Sequence, residues 1–161
     1  MSATRPTPLQ PREFFTPPWS GTGRWTPRAA ISPFAPARRF AFRTFTTFLS
    51  DELWLIHDET AWEDGRVERR DGMAVLLAPD RFRLTYDGMP GGAEITLRAD
   101  GFEASPYSLS VDVHPLPLSM TVRCTDACSL RPDGELVDVI DVALLGVRLG
   151  RVTMSLRAET G

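Results

Sequence analysis

Asp58, Arg69 and Asp71 lie in a run of alternating strand-forming residues, Asp51 to Ala78, that is interrupted once, at Asp64-Gly65. Read as a two-residue hairpin turn, Asp64-Gly65 pairs Glu63 with Arg66 and thereby fixes every pair behind it. Trp62 then meets Val67, Thr60 meets Arg69, Asp58 meets Asp71, Ile56 meets Met73 and Trp54 meets Val75, all on one face. The opposite face sets Leu53, Leu55, His57 and Glu59 against Leu76, Ala74, Gly72 and Arg70. The first face is apolar at both ends and charged in its middle, the pattern of a lumen that grips an apolar molecule by one polar group. Two carboxylates about 5 Å apart across a strand pair do not both ionise cheaply once desolvated, so one keeps a proton unless Arg69 compensates. Asp58 and Asp71 are therefore a candidate acid/base pair. The alternative turns this face to solvent, with Asp58, Asp71 and Arg69 as a charge ladder, and a turn one residue longer exchanges the two faces.

Other residue types with chemistry are sparse. His57 neighbours Asp58 and Glu59, a setting for a general base or simply for a hydrogen-bonded strand histidine. His114 precedes Pro115-Leu116-Pro117, which forces extended backbone and puts the imidazole at a strand end, as at a barrel mouth. Tyr86 shares a face with Phe82 and Leu84 and can present a hydroxyl to the same interior. Asp126 lies among Val122, Cys124, Cys128 and Leu130, and Asp138 among Leu136, Ile140 and Val142; acids among aliphatics need partners, for which Arg69, Arg123 and Arg151 are candidates.

Several function classes are excluded. All 18 basic residues are arginine, and the sequence holds neither lysine nor asparagine, so a Schiff-base lysine, a P-loop lysine and an Asn-x-Ser/Thr acceptor are absent. A net charge of -3 gives no basic excess for phosphates, so no nucleic-acid partner is expected. Cys124 and Cys128 stand roughly 13 Å apart if they share a strand, beyond disulfide reach, and neither histidine is near enough in sequence to complete a zinc site. They are expected as two buried thiols, and no metal is expected. No Gly-x-Ser-x-Gly, His-Glu-x-x-His or Gly-x-Gly-x-x-Gly motif occurs. The first residues lack the apolar stretch of a secretory signal and no segment is long and apolar enough to span a membrane, which points to a cytoplasmic protein without a membrane span.

The elements that must position these groups are short strands. Alternation marks them at Arg39 to Phe48, Asp51 to Trp62, Val67 to Ala78, Arg81 to Asp87, Ala93 to Ala99, Phe102 to Tyr107, Leu109 to His114, Leu118 to Leu130, Glu135 to Leu145 and Val147 to Arg157. Pro79-Asp80, Asp87 to Gly92, Asp100-Gly101 and Pro132-Asp133-Gly134 are the turns between them. Connections this short favour an antiparallel meander, and about ten strands leave no costly edge if the sheet closes. The expected fold is all-β, a single antiparallel meander barrel of about ten strands spanning residues 37–161. Eight of the 14 prolines precede residue 37, so residues 1–36 are expected as an extended Pro-rich arm, packed on the barrel through Phe14, Phe15, Trp19, Trp25, Ile31 and Phe34.

Trp19-Ser20-Gly21-Thr22-Gly23-Arg24-Trp25-Thr26-Pro27, ahead of a long meander, resembles the start of the first barrel strand in the calycin superfamily, nearest to the nitrobindins within it. The resemblance implies a ten-stranded barrel with an apolar cavity, an architecture that lipocalins and fatty-acid-binding proteins share and use for lipophilic small molecules. Haem, which that cavity holds in nitrobindins, is not expected: the closing strand, Val147 to Glu159, lacks the histidine that would ligate it, and Pro17 replaces a glycine. The chain is expected to need no cofactor and to bind a small lipophilic ligand with a polar head group. Trp54, Trp62, Met73 and Tyr86 are the expected walls and Asp58, Arg69 and Asp71 the anchor, with His57 and His114 beside them. A cofactor-independent isomerase, cyclase or hydratase using the same carboxylates is the alternative, and a module that docks a protein on a Trp-rich face is a third. Nothing in the sequence fixes the oligomeric state.

Overall fold

A two-residue alternation of apolar and polar side chains suits a strand that buries one face. The computed structural model, which describes residues 9–112 and 118–160, follows that pattern almost throughout. A short helix, α1 (Pro11–Phe15), precedes β1 (Trp19–Pro27), β2 (Arg38–Phe48), β3 (Leu53–Trp62), β4 (Val67–Ala78), β5 (Arg81–Tyr86) and β6 (Ala93–Arg98). Then come β7 (Gly101–Ala104), β8 (Tyr107–Asp112), β9 (Ser119–Leu130), β10 (Leu136–Leu144) and β11 (Val147–Ala158). The ten strands expected from alternation are β2 to β11, with boundaries moved by a few residues.

Strands pair antiparallel in the order β1 to β7, then β9, β10 and β11, and β11 pairs back onto β1, which closes a ten-strand barrel. Closure leaves no unpaired edge around the ring. β7 and β8 share one position in it: Gly101–Glu103 pair with Ser129–Ala127, and Tyr107–Asp112 pair with Cys124–Ser119 of the same neighbour. Ser105-Pro106 separates them, and proline has no N–H to give to a ladder.

The expected boundary between arm and barrel does not hold, because Trp19–Pro27 is itself a barrel strand, held by β2 on one side and β11 on the other. Counting prolines over the whole segment hid it. Pro17 and Pro18 precede the strand and Pro27 is its last residue, so none interrupts the ladder. Gly21 and Gly23 fall on the inward face between Trp19 and Trp25. A Cβ on Gly23 would stand 2.2 Å from the Phe40 ring and 2.9 Å from the Met154 side chain, so glycine is what lets both fill the interior there.

One end of the barrel is plugged by α1. Phe14 stacks on Trp19 at 5.4 Å and meets Phe102 edge-on, while Phe15 meets Phe82 edge-on at 5.4 Å and lies beside Trp54. The Trp19 indole N–H donates to the Phe14 carbonyl at 2.9 Å, and Leu9 N–H donates to the Arg98 carbonyl, fixing the plug at both ends. Arg12 covers Phe48 and pairs with Asp51 from outside. Replacing a buried phenylalanine by alanine removes its transfer energy and leaves a cavity. Phe14→Ala is expected to cost about 3 kcal/mol, read as a lower urea midpoint at unchanged slope. A loss under about 1 kcal/mol would mean that the plug does not carry the floor of the barrel.

Candidate functional site

The β3–β4 turn decides which side chains enter the lumen, and it is one residue longer than expected. Trp62 N–H donates to the Arg66 carbonyl at 2.8 Å and Gly65 N–H to the Trp62 carbonyl at 2.9 Å, so Glu63, Asp64 and Gly65 form the loop. Gly65 has φ +88°, the left-handed residue that completes a three-residue hairpin, and the Asp64 carboxylate accepts the Arg66 N–H. The true pairs are Asp58 with Arg70, His57 with Asp71, Leu55 with Met73 and Leu53 with Val75. β3 keeps its expected inward face, Trp54, Ile56, Asp58, Thr60 and Trp62, but β4 turns inward Glu68, Arg70, Gly72 and Ala74.

Three expected lumen residues are thereby relocated. Arg69 is outside and pairs with Glu59 at 2.8 Å, Met73 is 44% exposed, and Asp71 accepts from His57 Nδ1 at 2.7 Å on the outer surface. His57 also stacks on Phe45 at 4.7 Å, which makes it an outer-face histidine away from the interior. Asp58 and Asp71 are consequently on opposite sides of the sheet and do not form an acid/base pair. Trp54, 1% exposed, is packed in the floor against Phe15, Phe48 and Phe82, whereas Trp62 lines the cavity beside Phe40. His114 lies outside the described residues.

Inside, the barrel holds a cavity of about 320 Å³ with aromatic walls that include Phe40, Phe42, Trp62, Tyr86 and Phe102. A broader groove of about 690 Å³ on the outer face is edged by Arg24, Arg39, Glu63, Arg131 and Glu135 and is open to solvent, so the lumen is the concave site able to enclose a molecule. Polar side chains cross the lumen at mid-height. Tyr86 donates to Asp58 Oδ2 at 2.6 Å, and Thr44, the cross-strand partner of Asp58 on β2, places its hydroxyl beside the same carboxylate. Gly72 makes that possible. It faces Tyr86 across β4 and β5, and a Cβ there would stand 2.6 Å from the ring.

On the far wall Tyr107 donates to Asp126 Oδ2 at 3.3 Å, and the Asp138 carboxyl lies against Asp126. Asp126 and Asp138 are diagonal neighbours on β9 and β10. Burial pushes Asp58 and Asp126 up from the ordinary carboxylate range, and Asp138 goes well above it through burial and the adjacent Asp126 charge. Two carboxyls desolvated side by side favour one shared proton over two charges, with Asp138 the more strongly raised. Both Oδ1 atoms, of Asp126 and of Asp138, are buried without a hydrogen-bond partner. None of the arginines expected to serve them does so: Arg151 grips Asp141 at 2.9 Å on the outer face, Arg69 is on Glu59, and Arg123 is exposed. The cation that does face the lumen is Arg70, close enough to stabilise the Asp58 carboxylate.

Sequence reasoning missed Arg70 because one extra turn residue moves it from one face to the other. Tyr107 was legible: with Leu109 and Val111 it continues a two-residue apolar period after Pro106. The thiols lie on the same wall, unpaired and buried, with Cys124 pushed up to about 11 and Cys128 pushed up further by burial. Such thiols stay protonated and are poor nucleophiles. Among the described residues no group of three or more metal-binding side chains converges, and no helix is long and apolar enough to cross a membrane.

Sequence comparison finds no matching family model and no matching curated protein. Solved structures do match in fold. The crystal structure of Rv2717c from M. tuberculosis superposes with a TM-score of 0.62 at 14% identity, over 91% of this chain and 93% of that one. The S-type phycobiliprotein lyase CPES from Guillardia theta superposes with a TM-score of 0.59 at 10% identity, over 95% and 94%. Both are ten-strand barrels of the lipocalin and calycin-like group, and at these identities the likeness is one of fold.

The Asp138 proton has a measurable signature. An acid whose folded-state pKa lies above its unfolded value of 3.8 lets the folded chain hold the proton longer, so its contribution to stability falls as pH rises from that value toward the folded one. Asp138→Asn keeps the shape and the donor to Asp126 while removing this loss. The variant is expected to melt with the wild type near pH 4 and about 4 °C or more above it near pH 7, by thermal scans across that range. A difference that does not grow with pH would place the proton elsewhere.

Proposed function

We propose that this barrel binds a small, largely apolar molecule with a polar head group inside its lumen. The carrying observation is the aromatic-walled lumen cavity of about 320 Å³, crossed by Asp58, Tyr86, Tyr107, Asp126 and Asp138. Small-molecule sites are mostly apolar with a few placed polar groups, and this volume lies at the lower end of their usual range. The fold neighbour from Guillardia theta, a phycobiliprotein lyase, adds support for a small-molecule partner. Two free thiols, Cys124 and Cys128, suit a reducing compartment such as the cytoplasm.

A cofactor-independent isomerase, cyclase or hydratase is the second reading, and the observation that favours it is the placement of two buried carboxyls, Asp126 and Asp138, side by side beside Tyr107. Carboxylates tuned apart by their surroundings are how proton-transfer sites divide acid and base roles. A protein-docking module would need the tryptophans of β3 outside, but Trp54 and Trp62 both face inward.

Filling the cavity tests the leading reading. Thr60→Trp places an indole in the lumen, and it is expected to abolish binding of the neutral apolar dye Nile red while circular dichroism remains that of the wild type. Native mass spectrometry of gently purified wild-type protein is expected to show a stoichiometric small-molecule adduct that the variant lacks. Equal dye binding by both proteins would remove the lumen as the site.

A further inference from the structure

The polar groups that face the lumen are unbalanced in sign. Asp58, Glu68, Asp126 and Asp138 line it, and Arg70 is the one cation among the described lining residues. Their demands are met unequally. Asp58 accepts from Tyr86, with the Thr44 hydroxyl beside it, and Glu68 lies 3.4 Å from an Arg66 guanidinium nitrogen. Asp126 has one oxygen engaged by Tyr107, but its Oδ1 and that of Asp138 are buried and partnerless. Asp138 is only 7% exposed, so solvent at the protein surface does not serve it. A buried acceptor without a donor is costly, and two beside each other are more so because one carries charge.

What satisfies them is constrained by chemistry. An apolar guest leaves both oxygens bare, and a carboxylate guest adds a third acid to a low-dielectric site. An alcohol offers one donor and no charge. An ammonium or amidinium offers several N–H donors, reaches two oxygens on adjacent strands at once and neutralises the single charge the pair carries; charge-assisted hydrogen bonds of this kind are about twice as strong as neutral ones. The faces of Trp62, Phe40 and Phe42 can hold the remaining body of such a guest and attract its cationic end.

We propose that the lumen selects organic monocations, a primary ammonium or amidinium on an apolar body, and seats the N–H donors between the free oxygens of Asp126 and Asp138. This selectivity rests on the lumen-binding reading above and gives it a ligand class.

Three probes of one shape test it: phenylbutylamine, phenylbutanol and phenylbutanoate, titrated calorimetrically into the protein near neutral pH, with Nile red as a head-group-independent reporter of the lumen. The amine is expected to bind at least about tenfold more tightly than the alcohol, and the carboxylate to show no binding. Asp126→Asn/Asp138→Asn is neutral and of the same shape; it is expected to lose the advantage of the amine while keeping the alcohol within about twofold. Circular dichroism checks that variant, and Asp126→Asn alone, which removes the charged member, is expected to do the same should the double variant misfold.

Equal affinity for amine and alcohol with Nile red bound would overturn cation selection and leave the lumen reading standing. So would an amine preference that survives both substitutions. Failure of all three probes and of Nile red would overturn both.

Discussion

Pairing of β11 with β1 is the constraint on which everything else rests. A meander of strands this long has two edges, each a row of unpaired N–H and C=O groups, and joining them satisfies both rows at once. Closure also creates an inside. Once the ring is complete, every second side chain on each strand faces the same enclosed space, and polar residues at those positions meet across it. Asp58 on β3, Tyr86 on β5, Tyr107 on β8, Asp126 on β9 and Asp138 on β10 are far apart in sequence, yet closure sets them around one cavity. The strand that closes the ring comes from the segment richest in proline. At Gly23 a side chain would collide with Phe40 and Met154, and at Gly21 a Cβ would strike the Ser155 carbonyl of β11.

Shape and charge are then divided between the two ends and the middle of the barrel. At the plugged end, Phe14, Phe15, Trp19, Trp54 and Phe82 form a continuous aromatic floor, where burial and edge-to-face contacts stabilise the fold. The middle works against stability. Three aspartates desolvated in one space, two of them side by side and each retaining an unpartnered oxygen, oppose folding more than any apolar substitute of the same size would. Local rules of packing are broken in proteins chiefly where a site demands it, and here both unpartnered carboxylate oxygens lie on the lumen wall, while the Trp54 indole N–H is left unpartnered in the floor.

Much of this was legible in sequence. Ten strands could be drawn from the two-residue period and the glycine, proline and aspartate turns, because alternation is imposed locally by burying one face of each strand. The inward face of β3 was legible too, since Trp54, Ile56 and Trp62 outweigh Asp58 and Thr60. β4 was not, because Arg69 with Met73 and Arg70 with Ala74 are comparably amphipathic on either face, and the decision passed to the turn. Asp64-Gly65 fits a two-residue hairpin as well as a three-residue one, and the difference of one residue moved Arg69, Asp71 and Met73 outside and Arg70 in.

The amino-acid sequence by itself determined the all-β class, the number and limits of most strands, the isolation of Asp126 and Asp138 among aliphatic neighbours, and the absence of lysine chemistry. These follow from residue types and spacings that act over a few positions. Only the folded chain shows that Trp19–Pro27 closes the ring, that Asp58 answers to Tyr86 across the sheet, and that Asp126 and Asp138 stand side by side on the lumen wall. Each of those depends on strand register or on ring closure, and both are set by hydrogen-bonded ladders between segments that no local pattern connects.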